Sequence, residues 1–321
     1  MPNDVHRFPP IEPQASGLLE VGDGNAVYWE EFGSPTGKAA LVVHGGPGTG
    51  RSGYFRRSFD PDRYRWIEFD QRGCGLSTPH AADPAVDMAA NTTRHLITDM
   101  ERLREHLGVE RWLLAGGSWG STLILAYAQQ HPERVSEILL VGVTTTRRSE
   151  VDWLDWGLRR FLPAAFECFH ALAPHASSGV ELAAAYNRLL SDPDPSVRAN
   201  AADAWCEWEN AVISHEQYGA PDAFDGFVGD QRLAFVRICT HYFAHGAFLD
   251  EGALLNGADK LAGIPGILIH GRLDLGAPLE TAWDLARAWP DTELIITDAG
   301  HTGNDQTRHE VVRALDRFAA R

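Results

Sequence analysis

The stretch Gly116-Gly117-Ser118-Trp119-Gly120 decides the expected fold. It follows the apolar run Trp-Leu-Leu-Ala at 112–115 and precedes residues 121–130, whose pattern is typical of a helix. A G-x-S-x-G sequence between a strand and a helix predicts a sharp turn that exposes the serine hydroxyl above the edge of a sheet. Glycines at both ends suit such a turn, because a side chain there would collide with its neighbours. An ordinary turn with a helix-capping serine is the alternative, and the flanking elements disfavour it. The motif predicts a serine hydrolase with Ser118 as its nucleophile.

A nucleophilic serine needs a base and an acid that orients the base, and this type of fold supplies them in the order serine, acid, histidine. Asp274 follows the strand-like run at 264–270, and His301 follows the strand-like run at 292–297. Both would lie at the carboxyl ends of strands, where open parallel sheets gather functional residues. We expect His301 to accept the Ser118 proton and return it to the leaving group, while Asp274 orients the imidazole.

The developing oxyanion needs preorganised donors. The backbone N–H of Trp119, directly after the nucleophile, is one candidate. The second is expected in the loop Gly45-Gly46-Pro47-Gly48, where Gly46 or Gly45 would present an amide. A phosphate-binding turn is the alternative for this loop, but no G-K-[ST] sequence follows it.

Composition limits the classes of function. The chain has 321 residues, of which 44% are hydrophobic and 10% aromatic, enough for a sizeable core. Its net charge of −16 disfavours nucleic-acid and anionic-membrane partners. No apolar run is long enough to span a membrane, and no signal peptide is evident. The four cysteines are far apart, without metal-ligand or C-x-x-C spacing, and suggest reduced thiols in a cytoplasmic protein. They are Cys74, Cys168, Cys206 and Cys239.

Strand and helix patterns alternate along the first part of the chain. Strand-like runs lie at 26–30, 40–43, 65–69, 111–115 and 137–141, and helical patterns lie at 92–107 and 121–131. This alternation predicts an α/β fold whose mostly parallel sheet carries helices on both faces. The alternation stops near Thr144, and mainly helical patterns follow as far as Gly257. We therefore expect residues 1–143 and 258–321 to form the core, and residues 144–257 to form a helical cap over the serine.

Five stretches of the chain resemble the proline iminopeptidase family of α/β-hydrolases, and the resemblance extends over nearly the whole length. The stretches are Val43-His-Gly-Gly-Pro-Gly48, Phe69-Asp-Gln-Arg-Gly-Cys-Gly-Leu-Ser77, Asn91-Thr-Thr93, Gly116-Gly-Ser-Trp-Gly-Ser-Thr-Leu123 and Gln130-His-Pro-Glu-Arg-Val135. The resemblance implies removal of an N-terminal residue, typically proline, from peptides, without metal or organic cofactor. It also implies that Ser118, Asp274 and His301 are the catalytic triad. Asp70-Gln71-Arg72-Gly73 would then brace the floor near the site.

The resemblance is weaker in the residues expected to bind substrate. Family members hold the peptide ammonium with two glutamates of the cap, and Glu209 in Trp205-Cys-Glu-Trp-Glu209 matches one of them. The other corresponds to Cys239 in Arg237-Ile-Cys-Thr-His-Tyr-Phe243. The usual aromatic after the sixth strand is Thr144 here, and a usual tyrosine of the cap is Asp155. These four positions are the candidate substrate-binding residues, in a pocket that departs from the family pattern.

The sequence favours two hydrolase functions and disfavours two other classes. The first is an aminopeptidase that acts on a small N-terminal residue, and it is favoured by Glu209. The second is a hydrolase of a different small amide or ester, favoured by Cys239. A binding protein without catalysis is disfavoured because all three triad positions are filled, and an epoxide hydrolase would carry a carboxylate in place of Ser118. The expected partner is a small peptide, amide or ester, and the oligomeric state is not predicted.

Overall fold

The structure, a computed structural model, describes residues 8–214 and 223–320. Eight strands in this part of the chain form one sheet. They are β1 (Ala15–Gly22), β2 (Asn25–Gly33), β3 (Lys38–Val43), β4 (Tyr64–Phe69), β5 (Trp112–Ser118), β6 (Val135–Val143), β7 (Gly266–Gly271) and β8 (Thr292–Thr297). Their order across the sheet is β1-β2-β4-β3-β5-β6-β7-β8. Pairing is antiparallel for β1 with β2 and for β2 with β4, and parallel from β4 to β8. The predicted α/β fold is confirmed.

Ten α-helices lie in the described residues. They are α1 (Thr93–His106), α2 (Trp119–Gln130), α3 (Arg148–Asp155), α4 (Pro163–Ala171), α5 (Gly179–Leu189), α6 (Pro195–Ser214), α7 (Gly229–Ala244), α8 (Ala253–Asn256), α9 (Leu279–Ala288) and α10 (Asp305–Ala319). In the described part of the chain, none of these helices is long and apolar enough to cross a membrane.

Side chains alternate between the two faces of the sheet, as the strand period of two requires. Leu41, Leu114 and Leu268 pack on one face with α1, α2 and α9. Leu113 and Ile267 point to the other face, where they pack with α10. Both faces are therefore covered, as the helical patterns on either side of the strands predicted.

The described part of the chain between β6 and β7 carries helices α3 to α8 and short 3-10 helices joined by loops. These helices have a hydrophobic core of their own, which includes Phe169, Tyr186, Trp205 and Trp208. Phe169 stacks on Trp208 with ring centroids 5.3 Å apart. A separate aromatic core explains how a long insertion keeps a defined shape above the sheet.

Strand β1 was not predicted from the sequence. It lies at the edge of the sheet and pairs only with β2 among the described strands. Most of its residues are exposed or half-buried, and only Val21 is buried. An edge strand with glycine at both 17 and 22 and two adjacent leucines lacks the regular apolar pattern that identified the other strands.

Candidate active site

Ser118 lies at the junction of β5 and α2, with φ 53° and ψ −130°. This left-handed conformation is rare for a residue with a side chain, and it is stable only where the surroundings enforce it. Gly120 permits the close packing: a Cβ atom there would lie 2.3 Å from the Val43 carbonyl oxygen. The strained turn predicted from the G-x-S-x-G sequence is present, and it holds Ser118 at the carboxyl edge of the sheet.

His301 and Asp274 face each other across the ends of β7 and β8. The Nδ1–H of His301 donates to both carboxylate oxygens of Asp274, at 3.0 and 2.9 Å. The Asp274 carboxylate also accepts the Ala277 amide at 2.7 Å. Burial alone would raise the pKa of Asp274, but the charge and hydrogen bond of His301 hold it below its usual value. The acid is therefore ionised, and it fixes the imidazole with Nε2 directed away from it.

His270, near the end of β7, hydrogen-bonds to β6 and to the loop that carries Asp274. Its Nδ1 accepts the Val143 amide at 3.0 Å, so its proton lies on Nε2, which donates to the Ala277 carbonyl at 2.8 Å. Burial lowers the pKa of His270, although the Asp274 charge opposes this. This neutral histidine joins the acid loop to β6. Sequence reasoning missed it, although it stands at the end of the strand that leads to Asp274.

The loop after β3 packs directly against Ser118. A Cβ atom at Gly45 would lie 3.3 Å from the Ser118 Cβ and 3.9 Å from its Oγ. The Gly45 carbonyl accepts hydrogen bonds from the ring of His44 at 2.9 Å and from the Thr49 hydroxyl at 3.0 Å. Because the C=O and N–H of a trans peptide unit point in opposite directions, these bonds also fix the direction of the Gly46 N–H.

Core and helical insertion together enclose a cavity of about 370 Å³. Seven of the sequence-predicted residues line it: Gly45, Gly46, Ser118, Trp119, Thr144, Glu209 and His301. Asp274 lies behind His301, whereas Asp155 and Cys239 do not line the cavity and are fully buried. The structure thus brings two of the four candidate substrate-binding residues to the cavity wall.

Glu209 of α6 lines this cavity and lies near enough to His301 to interact with its charge. Its Oε1 accepts the indole N–H of Trp205 at 3.2 Å. Burial raises the pKa of Glu209 to about 7, while the charge of His301 and the Trp205 hydrogen bond act in the opposite direction. At neutral pH a small change in its surroundings therefore changes its charge.

Asp155, at the end of α3, is 0% exposed. Within residues 8–214 and 223–320, neither of its carboxylate oxygens has a hydrogen-bond partner of good geometry, although the Trp208 indole N–H lies near enough to oppose the rise of its pKa. Burial, and then the charge of Glu209, raises the pKa of Asp155 well above its usual value. The Cys239 thiol is buried beside both acids, and burial followed by their charges raises its pKa as well. The Cys239 thiol is thus neutral at physiological pH, and burial favours the protonated form of Asp155.

Comparison with known proteins identifies the family. The alpha/beta hydrolase fold model matches residues 39–306. A probable proline iminopeptidase of Streptomyces coelicolor is 48% identical, over 97% of this chain and 97% of its own. Proline iminopeptidases of Xylella fastidiosa and Arabidopsis thaliana are each 42% identical, covering 97% and 93% of this chain and 98% and 78% of their own. The chain belongs to the proline iminopeptidase family.

Solved structures agree with the α/β-hydrolase fold of this family. Proline iminopeptidase of Mycobacterium smegmatis superposes with a TM-score of 0.62 at 18% identity, covering 95% of this chain and 99% of its own. A thermophilic esterase of Thermogutta terrifontis gives a TM-score of 0.65 at the same identity, with coverage of 95% and 97%. At such identity these likenesses concern the fold alone.

Two further polar residues belong to the surroundings of the site. Glu150 lines the cavity, and its carboxylate accepts from the Thr145 hydroxyl at 2.8 Å and the Thr281 hydroxyl at 2.6 Å. It thereby joins the start of the insertion to α9, a role that no local sequence signal revealed. Gln71 is the other, and it hydrogen-bonds twice to His44 at the start of the loop after β3. Among the described residues, no cluster of three or more His, Cys, Asp or Glu side chains could hold a metal ion.

Proposed function

We propose that the protein is a serine aminopeptidase that releases an N-terminal residue, proline or another small residue, from peptides through an acyl-enzyme. One observation supports this most strongly. The strained Ser118, the His301–Asp274 pair and the buried acid Glu209 meet at a single cavity. A nucleophile and an amine-binding acid in the wall of one cavity suit a substrate whose scissile carbonyl lies next to its ammonium.

In the proposed reaction, Ser118 Oγ attacks the carbonyl carbon while His301 Nε2 accepts its proton. Asp274 stabilises the imidazolium that forms. The tetrahedral intermediate collapses as His301 gives the proton to the leaving amine, and an acyl-enzyme remains. Water then attacks this ester, with His301 again accepting and returning a proton, and the free amino acid leaves.

The oxyanion of the intermediate would be bound by two backbone amides. Trp119 N–H follows the nucleophile directly, and the loop at Gly45 and Gly46 packs against Ser118. The fixed direction of the Gly46 amide favours it as the second donor. Loss of one such donor typically costs about 3 kcal/mol of transition-state stabilisation.

We assign residues 144–257 to a cap that carries specificity. Glu209 would bind the substrate ammonium directly, because it lines the cavity. Asp155 would not share that charge: it lies behind the wall without a partner in the described residues, and its pKa is raised by burial. Cys239 contributes a neutral thiol at the position of the family's second glutamate, and Thr144 lines the wall where an aromatic is usual. The pocket would therefore hold an ammonium with one charge.

A different small amide or ester is the alternative substrate, and one observation favours it. The outer part of the cavity is strongly aromatic, with Tyr54, Phe55, Phe224 and Phe227 in its wall. Phe224 and Phe227 each stack on Phe235, with centroids 5.4 and 5.1 Å apart. Such a wall fits an apolar acyl or leaving group as well as it fits a peptide.

The test compares matched substrates on the purified protein: prolyl, alanyl and N-acetyl-prolyl arylamides beside short acyl esters. The proposal expects kcat/KM to be highest for the free-amine arylamides and to fall at least tenfold when the amine is acetylated, because Glu209 then has no ammonium to bind. Ser118→Ala serves as the control for contaminating activity. Equal or better turnover of the acetylated amide or the esters would replace the aminopeptidase with the alternative hydrolase.

We also place the protein in the cytoplasm, acting on a small peptide without a nucleic-acid partner. The four cysteines, which are all free, support this location, since oxidising compartments favour disulfides. Fractionation of cells followed by detection of the protein would test it, and recovery from a secreted fraction would contradict it.

A further inference from the structure

Gln71, directly after β4 and Asp70, makes three hydrogen bonds to two different segments of the site. It is 3% exposed. Its backbone N–H donates to His44 Nε2 at 3.0 Å, and its side-chain amide donates to the His44 carbonyl at 3.0 Å. Its side-chain oxygen accepts the indole Nε1–H of Trp119 at 3.0 Å. One buried glutamine thus connects the loop after β3 with the first residue of α2.

Gln71 lies just beyond the end of β4, and its hydrogen bonds reach past the neighbouring strand. Strand β3 lies between β4 and β5, so Gln71 reaches across the end of β3 to the start of α2. The pairing of β3 with β5 ends at Val43 and Gly116. Beyond that pair, the strand pairing gives way to the loop at 45–48 and the turn at Ser118. Gln71 joins them where the sheet no longer does.

His44 extends the connection to the loop. Since its Nε2 accepts the Gln71 amide, its proton lies on Nδ1, which donates to the Gly45 carbonyl at 2.9 Å. Burial lowers the pKa of His44, in spite of the Asp70 charge, so the ring is neutral. A chain of hydrogen bonds therefore runs from Trp119 through Gln71 and His44 to the peptide unit that bears the Gly46 N–H.

We propose that Gln71 is a positioning residue that sets the separation of the two oxyanion donors, the backbone amides of Trp119 and Gly46. The inference rests on the proposed function, because it takes the oxyanion site from there. Oxyanion donors act by being preorganised at the place where charge develops. Gln71 therefore affects the transition state and leaves binding of the ground state almost unchanged.

Two substitutions break the connection from its two ends. Gln71→Met keeps the size of the side chain and removes both side-chain hydrogen bonds. Trp119→Phe removes the indole N–H but keeps the backbone amide. Each should lower kcat about tenfold or more, below the roughly 10²- to 10³-fold effect of losing a donor outright, with KM changed less than about twofold. The double variant should be little worse than the worse single variant, since both remove one connection.

The matched control is Tyr242→Phe. The Tyr242 ring packs on Trp119 with centroids 4.6 Å apart, and its hydroxyl donates to Asn91 Oδ1 at 2.8 Å. This variant loses one buried hydrogen bond beside the same indole, at a site outside the connection. It should lower the melting temperature as much as Gln71→Met does, with kcat unchanged.

All rates are measured with para-nitrophenyl acetate as well as prolyl arylamide and are expressed per active site titrated with a fluorophosphonate. A boronic acid that forms a tetrahedral adduct should lose affinity by the same factor as kcat in Gln71→Met. An unchanged kcat per titrated site, additive effects in the double variant, or an equal loss of kcat in Tyr242→Phe would overturn the inference alone. Labelling that persists in Ser118→Ala would overturn the proposed function, and this inference with it.

Discussion

Four buried polar side chains at the sheet edge and two buried acids of the cap differ in how well they are hydrogen-bonded. Around the sheet edge, His44, Gln71, His270 and Asp274 are buried and each has hydrogen-bond partners on neighbouring loops. In the cap, Asp155 is buried with no partner among the described residues for either oxygen. Glu209, beside it, accepts one hydrogen bond from Trp205.

In the proposed function, the paired groups at the sheet edge perform the reaction, and the cap acids recognise the substrate. A fully paired network has one low-energy arrangement, so the groups that perform the reaction are in place before substrate binds. A buried acid with few partners is easily protonated, and its charge depends on what occupies the cavity. Variants in the core should therefore change kcat, whereas variants of the cap acids should change the response to pH and to the substrate amine.

The largest expected effect is in the core. Ser118→Ala and His301→Ala should each lower kcat by about 10⁴-fold or more, because triad members act as a unit and loss of either removes the activated nucleophile. The double variant should be no worse than either single one. Kinetics with a prolyl arylamide measure the loss, and a fluorophosphonate should label the wild-type protein at a single site.

His309→Ala is the control for this comparison, since His309 lies exposed on α10 and the change is chemically the same. Its kcat should equal that of the wild type. If His301→Ala keeps more than about a hundredth of the activity, or if its loss multiplies with that of Ser118→Ala, His301 does not act as the base of Ser118.

The sequence predicts features that depend on neighbouring residues, and it misses contacts between residues that are far apart in the chain. Strands β2 to β8 and the order of Ser118, Asp274 and His301 were predictable, because strand patterns and a strand-to-helix turn are encoded within a few residues. The connection from Gln71 to Trp119 joins residues 48 positions apart and has no local pattern. The same holds for Asp155 and Glu209, which lie on α3 and α6. Their burial depends on how the cap helices pack, and this places Asp155 behind the cavity wall.

A smaller effect should appear in the cap, as a pH dependence of amine recognition. Glu209 has a pKa of about 7 because it is buried, so it becomes neutral as pH falls through that value. The ratio of kcat/KM for a prolyl arylamide to that for an ester should then fall, by up to about tenfold per pH unit. Taking the ratio removes the titration of the shared triad. Glu209→Gln should give a lower ratio that does not change with pH in this range.

Glu207→Gln provides the comparison, since Glu207 is an exposed neighbour on the same helix. It should keep the pH dependence of the wild type. A ratio in Glu209→Gln that follows the wild-type curve, or an equal loss for the ester, would make Glu209 a structural residue of the cap.

The smallest expected effect concerns stability and Asp155. Burial raises the pKa of Asp155 well above the ordinary 3.8, so the unfolded chain releases this proton at lower pH than the folded protein does. Stability is therefore lost as pH rises above about 4, by up to about 1.4 kcal/mol per pH unit until the folded-state pKa is reached. Asp155→Asn removes this loss. Its free energy of unfolding relative to wild type should thus become steadily more favourable from acid to neutral pH, as measured by denaturant titration.

The double variant Asp155→Asn with Glu209→Gln separates the two causes of the shift. Burial is the larger cause and the Glu209 charge the smaller, so the pH slope should persist, only slightly reduced, when Asp155→Asn is compared in the Glu209→Gln background. Activity gives the second measure: KM for a prolyl arylamide should change far less in Asp155→Asn than in Glu209→Gln, because Asp155 lies behind the cavity wall and Glu209 lines it. An equal rise of KM in both variants would show that the two acids bind the ammonium together, and the recognition site would then extend past the cavity surface into the cap.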